Sequence, residues 1–535
     1  MSTNLRKALD EQIKSYLGFM AGHFPVMSAS DEFIFFPLAD SSLAFRDTME
    51  DLCPELISQG LSVAASALVF LENLAAAGEP ALDIKLDARL LKMHADNFIR
   101  TFGTEKAHIH DPSLYFMIAV HGLALAAEDP SCLESRLRSA AGLFGCGNRQ
   151  LGTISRTRLD QALIWSENFE KFTGRLARIE HVSQSSGILS ALGALREQAA
   201  GFTDTVKRSK ISPEPESLGA ERYKLLIEQA FGMDKEPGEL YETLLDERQR
   251  LTSSLQAKAQ SLGYEPSEWQ KLALDPPPAA VESSEPVEWY RGELARLVRW
   301  LKQQSGTADI DTTNLPEIRL MPEYLCGLRA SASYAAPLDR DEPGVFYVVF
   351  DPCAQDRHSR LALHSDYRYI TVHETFPGHH HLDMVRLGLK SAIRRRSENA
   401  LFYEGWSCWA EQRMVDQGYF HLPHEIMCVE RRKLQRACRS ICELGLHLGE
   451  LDDSGAAELL AEIGLTRRLA GQLIRQYRCQ PGYQITYTIG RLELERLVDK
   501  FRRRFSSESE LCRLLLCAGE VPFDLLELHL ENSLG

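Results

Sequence analysis

The chain has 535 residues, 44% of them hydrophobic and 25% charged, with a formal net charge of −15. That length suffices for a large core and more than one lobe, and the balance is that of a soluble globular protein. The acidic excess disfavours nucleic-acid binding as the main activity, and no run approaches the ~20 uncharged apolar residues expected of a membrane span.

Met1 to Asp10 is amphipathic and mixed in charge, without the apolar stretch or small-residue cleavage site of a secretion signal. Helical periodicity then predicts helices over 61–77, 89–102, 113–127, 159–179 and 187–208. A Pro-containing break at Ser212–Ser217 precedes helices over 223–231 and 239–262. Asp275–Pro286 is the best linker, and 287–304 is helical again. The chain thus divides into an N-terminal helical region (1–212), a helical segment with a Pro-rich linker (213–286) and a C-terminal region (287–535) that carries the motifs below. In that region Glu317–Met321 and Gly344–Phe350 read as a small sheet spanning about 317–350, after which helix signals resume from His364. Arg394–Arg396 reads as a solvated basic helix face. The 12 cysteines include no C-x-x-C pair, so they read as free thiols in a reducing cytosol, and a cytoplasmic protein is expected.

The segment Thr371-Val-His-Glu-Thr-Phe-Pro-Gly-His-His-His381 sets His373 beside Glu374, with three histidines from five residues later. This is the logic of a zinc hydrolase: histidines bind the ion, and the glutamate deprotonates a water at an open position. The usual spacing puts the two histidines at i and i+4, yet Pro377 stands at i+4 here. On a regular helix, i+7 returns to the same face about 10 Å along the axis, too far to share one ion. Pro377-Gly378 must therefore bulge or break the helix. His379 needs the smaller distortion and is the favoured ligand; His380 is the alternative.

A helix is predicted across Ser397–Glu411, with Glu404 and Glu411 seven residues apart on one face. Glu404 completes a two-His, one-Glu set, and Glu411 is placed behind it, accepting from a ligand imidazole N–H. Cys408, one turn past Glu404, reads as a small buried residue.

With Glu-Gly-Trp at 404–406, Ala410-Glu411 and Pro481-Gly-Tyr-Gln-Ile-Thr-Tyr-Thr-Ile-Gly490, the chain resembles the bacterial domain-of-unknown-function 885 family over about 213–535. That family looks like a distant relative of the thimet-oligopeptidase and carboxypeptidase Taq zinc peptidases. The strand segment Pro343–Tyr347 matches it too, after Tyr334 and Pro337. Departures are present. Tyr483 stands where the family has Gln, with Gln484 one residue later, and Leu511-Cys-Arg513 replaces a Phe-His-Asp.

The resemblance implies a mainly α, two-lobed metallopeptidase-like fold with a small sheet beside the metal and a cleft between the lobes. Val345–Phe350, with Tyr347, would be the edge strand that aligns substrate. Tyr487 would steady the oxyanion, assisted by His380 or Arg491. Residues 484, 487 and 491 share a helix face, and Gly490 lets that helix approach another closely. The expected function is Zn²⁺-dependent cleavage of short peptides or small amides, with no nucleic-acid or membrane partner. Zinc would sit on His373, His379 and Glu404, and Glu374 would be the base. The alternatives are an amidohydrolase for one small metabolite and a catalytically silent scaffold. Oligomeric state is not legible.

Overall fold

The computed structural model describes residues 2–30, 32–33, 35–39, 47–213, 217–274, 285–326, 332–349 and 363–534. The described chain is mainly α-helical with one three-stranded sheet. Residues 214–216 and 275–284 of the two predicted breaks, and Phe350 of the predicted strand, lie outside the described residues.

The chain forms two compact units. One comprises Met1–Glu216 together with Pro322–Leu328 and Lys390–Glu398. It is helical, and two of its long helices, Ser2–His23 and Pro130–Gln150, go beyond those predicted. The second has a clear start: Asp129 caps it by accepting from the Ser131 N–H, Pro130 follows, and Leu133, Leu137, Ala140 and Phe144 line its buried face. Phenylalanines pack the interior in two groups, one around Phe24, Phe98 and Phe102 and one around Phe116, Phe144 and Phe202. The basic run at 394–396 corrects the solvated-face reading. Arg394 and Arg396 are buried, and Arg394 donates to Asp87 at 2.6 Å and to Asp83. Among the described residues one helix, Pro54–Ala76, is long and apolar enough to cross a membrane by length and composition alone, with mean hydropathy 1.4 and 22% of the window buried.

The other unit comprises Ser217–Met321, Arg329–Leu389 and Asn399–Gly535 and holds every motif residue. Its sheet is ordered β1 (Glu317–Leu320), β3 (Val345–Val348), β2 (Ser333–Ala335). β1 and β3 are parallel, and β2 and β3 are antiparallel. The predicted edge strand is therefore the central one, because both its sides are paired; β1 and β2 are the edges. Phe346 and Val348 point into a core with Trp289, Tyr290, Leu294 and Leu297 of the Pro286–Leu301 helix and with Val372 and Phe376. Tyr347 points to the opposite face of the sheet by the strand's alternation.

Two places allow backbones to approach without an intervening side chain. A Cβ on Gly378 would sit 1.8 Å from the His373 carbonyl oxygen. A Cβ on Gly490 would lie 2.0 Å from the Leu401 oxygen, and one on Gly405 2.5 Å from the Gly490 carbonyl carbon. The second contact presses the Ala400–Asp416 helix against the Ile485–Phe501 helix. Gly490→Ala should cost about 3 kcal/mol or more in denaturant unfolding, because the clash is with backbone. Gly193→Ala, in the interior of the Ser186–Arg208 helix with no atom within 4 Å, should be neutral or stabilise by up to ~1 kcal/mol. Equal effects at the two positions would contradict this account.

Candidate metal centre

The helix Tyr367–Glu374 stops where the sequence places Thr375-Phe-Pro-Gly, and a second helix, His379–Leu387, starts directly afterwards. Pro377 cannot donate an N–H, and Thr375 leaves helical geometry at φ −117°, ψ −95°. The result is a break rather than a bulge. The Trp406 indole N–H secures it by donating to the Pro377 carbonyl at 2.7 Å. His373 ends one helix and His379 opens the next, and their rings meet edge to face with centroids 4.7 Å apart.

Glu404 comes from the Ala400–Asp416 helix, which Asn399 caps by accepting from the Leu401 N–H. Glu404 Oε2 lies 3.4 Å from His373 Nε2 and 3.5 Å from His379 Nε2. All three residues are buried, and one ligand atom from each lies within 4.8 Å of the others. Oε2 is a buried oxygen that accepts no hydrogen bond of good geometry. Such an oxygen facing two imidazole nitrogens fits a cation. Tetrahedral bonds near 2.1 Å imply ligand–ligand edges of about 3.4 Å, close to the two Glu404–histidine separations of 3.4 and 3.5 Å. Burial alone would raise the Glu404 carboxyl, but the two imidazoles outweigh it and hold the group well below its usual range.

Behind His373, Glu411 Oε1 stands 3.1 Å from Nδ1. Arg436 Nη2 also approaches Nδ1, at 3.3 Å, and were Nε2 to hold an ion, Nδ1 would carry the proton and donate it to Glu411. Glu411 is fully buried yet well supplied with donors: Arg436 binds it through both terminal nitrogens at 3.0 and 2.8 Å, and Arg432 adds two further bonds. Asp366, just ahead of the motif, joins the network through Arg432. His379 is held differently. Its Nδ1 has no hydrogen-bond partner, and its ring stacks on Tyr403 with centroids 4.0 Å apart. The Tyr403 hydroxyl is in turn fixed by Asp383 at 3.0 Å.

Glu374 faces β2. Its Oε2 accepts the Tyr334 backbone N–H at 3.0 Å. That N–H therefore points away from β3, so the side of β2 opposite β3 is turned toward the motif. Burial pushes the Glu374 carboxyl up to about 7; the Glu404 charge adds to the rise, while His379 and the Tyr334 N–H oppose it. The group is poised to exchange a proton near neutrality.

His380 is a correction. Its Nδ1 meets the Tyr334 hydroxyl at 2.9 Å and its Nε2 the Asn314 carbonyl at 2.9 Å, so neither nitrogen remains for an ion or an oxyanion. Arg491 is another. Its guanidinium pairs with Glu495 at 2.7 Å and with Glu247, which keeps it in a separate ion network. Tyr487 lies one hydrogen bond from the triad: its hydroxyl donates to that of Tyr483 at 3.2 Å, and Tyr483 donates to Glu404 Oε1 at 2.9 Å. Burial, with the Glu404 charge beside them, keeps both phenols well above their ordinary pKa, so they remain donors. Gln484 opens the Ile485–Phe501 helix, with its N–H on Glu443 and its side-chain oxygen buried without a partner. Cys408 is buried, and burial pushes its thiol up to about 12.

Sequence reasoning passed over Tyr483, Tyr403, Tyr334 and the arginines at 432 and 436. Tyr483 carried a signal, since it stands four residues before Tyr487. The Tyr334 contact is a backbone N–H and leaves none.

A family model described as "Bacterial protein of unknown function (DUF885)" matches residues 154–530, a span that includes every residue of this centre. No curated protein matches the chain. Solved structures do. One is "a putative lipoprotein of unknown function from Shewanella oneidensis", 15% identical at a TM-score of 0.71, with 99% of each chain covered. Another is "the putative lipoprotein from Colwellia psychrerythraea", 16% identical at a TM-score of 0.73, covering 99% of this chain and 98% of that one. At that identity the likeness shows a shared fold. It also corrects the cytoplasmic location expected above. The fold occurs in proteins described as lipoproteins, which a lipid ties to a membrane, so a pattern of free thiols does not fix the compartment.

Trp406→Phe should destabilise this unit by about 2–4 kcal/mol, because it orphans the buried Pro377 carbonyl and leaves a void. Chemical unfolding of the two proteins measures it, and a loss below about 1 kcal/mol would show that the indole does not hold the break.

Proposed function

The chain belongs to the bacterial DUF885 family, and we propose that it is a zinc-dependent hydrolase of amide bonds in short peptides or peptide-like molecules. The observation that carries this reading is the convergence of two imidazole nitrogens and an unpartnered carboxylate oxygen beside a buried Glu374 raised to about 7. His373, His379 and Glu404 would hold the ion, and zinc suits two imidazoles and one carboxylate. Once bound it would supply Lewis acidity, polarising a carbonyl and acidifying water.

The remaining steps belong to side chains of this protein. Glu374 takes a proton from the attacking water and returns it to the departing nitrogen. Tyr483 orients Glu404, while Tyr487, whose O–H donates to Tyr483 in the resting site, would turn that O–H to the oxyanion as it forms. Glu411, neutralised by its arginines, fixes the His373 tautomer. The wider kinship to thimet-oligopeptidase-type peptidases rests on the motifs quoted above.

Mass spectrometry of the native protein after zinc loading should find one ion per chain. Glu411→Gln should weaken zinc binding about 10–100-fold in a chelator competition. Digestion of a diverse short-peptide mixture by the zinc form should give cleavage that falls ~10²–10⁴-fold in Glu374→Gln, with the ion retained. A zinc-replete protein that cuts neither peptides nor small amides would sink the proposal and favour a silent scaffold.

A further inference from the structure

The Pro423–Leu448 helix directs Arg432, Arg436 and Arg439 toward the centre at one-turn spacing. Two of the three are neutralised, since Arg432 and Arg436 share Glu411 and Arg432 also reaches Asp366. Arg439 is different. Its guanidinium lies over the Tyr487 ring, 5.6 Å from the centroid. Its main electrostatic neighbours are the phenols of Tyr477 and Tyr487 and the cation of Arg436. Among the described residues, no aspartate or glutamate forms an ion pair with it. Its Nε is buried and has no hydrogen-bond partner.

One more unfilled polar atom stands nearby. The Tyr477 hydroxyl is buried beside Arg439 and makes no hydrogen bond of good geometry. A half-buried cation with no counter-ion, beside a hydroxyl with spare hydrogen-bonding capacity, is unfavourable in isolation. The same arrangement is complementary to an anion, and a guanidinium is a planar fork that fits a carboxylate through two hydrogen bonds. The Tyr487 ring fixes the distance. Its hydroxyl faces the triad through Tyr483 and its face carries Arg439, so the two ends of the site are separated by one or two residues of extended chain at ~3.3–3.6 Å each.

We propose that Arg439, assisted by Tyr477, anchors a free carboxylate of the substrate, so that the enzyme acts on short peptides or N-acyl amino acids whose carboxylate lies one or two residues from the cleaved amide. This rests on the hydrolase reading above and supplies its substrate class. Arg436 cannot take the role, because Glu411 already occupies its fork.

The test compares matched short peptides bearing either a free C-terminal carboxylate or a C-terminal amide. The zinc-loaded wild type should cut the acid at least ~30-fold better than the amide in kcat/KM. In Arg439→Gln the acid-to-amide ratio should collapse toward one through a rise in KM for the acid, and Arg439→Lys should restore part of it. Calorimetric binding of a free-acid dipeptide and its amide to Glu374→Gln gives a readout that needs no turnover, and the acid should bind more tightly by a similar factor. Equal cleavage of acid and amide by the wild type would overturn the carboxylate anchor and leave the hydrolase standing. If neither peptide is cut, the binding arm decides. Preference for the acid that Arg439→Gln abolishes supports the anchor while the hydrolase reading fails, and equal binding overturns the anchor too.

Discussion

The centre depends on backbone meeting backbone with no Cβ between. Gly378 folds against the His373 carbonyl, and this tight return lets a histidine six residues on come back to the same point. Gly405 and Gly490 let two long helices touch, which sets Glu404 against Tyr483. A methyl at any of these positions would push a helix outward by more than the ~0.5 Å tolerance of a preorganised site.

Around that frame the protein buries a dense set of charges. Glu404 and Glu411 are carboxylates deep in the interior, kept ionised by imidazoles on one and by two guanidinium groups on the other. Burying charges gains little net stability, but removing one partner leaves the other stranded at a cost of several kcal/mol. The network is thus better understood as a device for orientation. The two histidines are held by different means, His373 by a charged hydrogen bond and His379 by a stacked phenol. Stacking restrains the plane of a ring without fixing its tautomer, so His379 is the more adaptable of the two.

The mainly helical class and the small sheet were legible because periodicity reports burial on one face of each element. The position of β3 within its sheet was not. An apolar run such as Val345–Val348 fits a central strand as readily as an edge, and pairing is decided by segments distant in sequence. The basic run at 394–396 misled for a similar reason: Arg394 looks solvated until Asp83 and Asp87, about three hundred residues earlier, are placed against it.

By itself the sequence determined the chemistry of the centre. Only His and Glu at those spacings supply such donors, and Pro377-Gly378 forbids a continuous helix. The tertiary structure decided which histidine turns inward. His379 and His380 are adjacent and chemically identical, and they separate only because Tyr334 and Asn314, from distant segments, claim both nitrogens of His380. It also decided which arginine on one helix face stays without a counter-ion. Net charge is a property of composition, whereas neutralisation is a matter of distance, and distances between helices are set by packing.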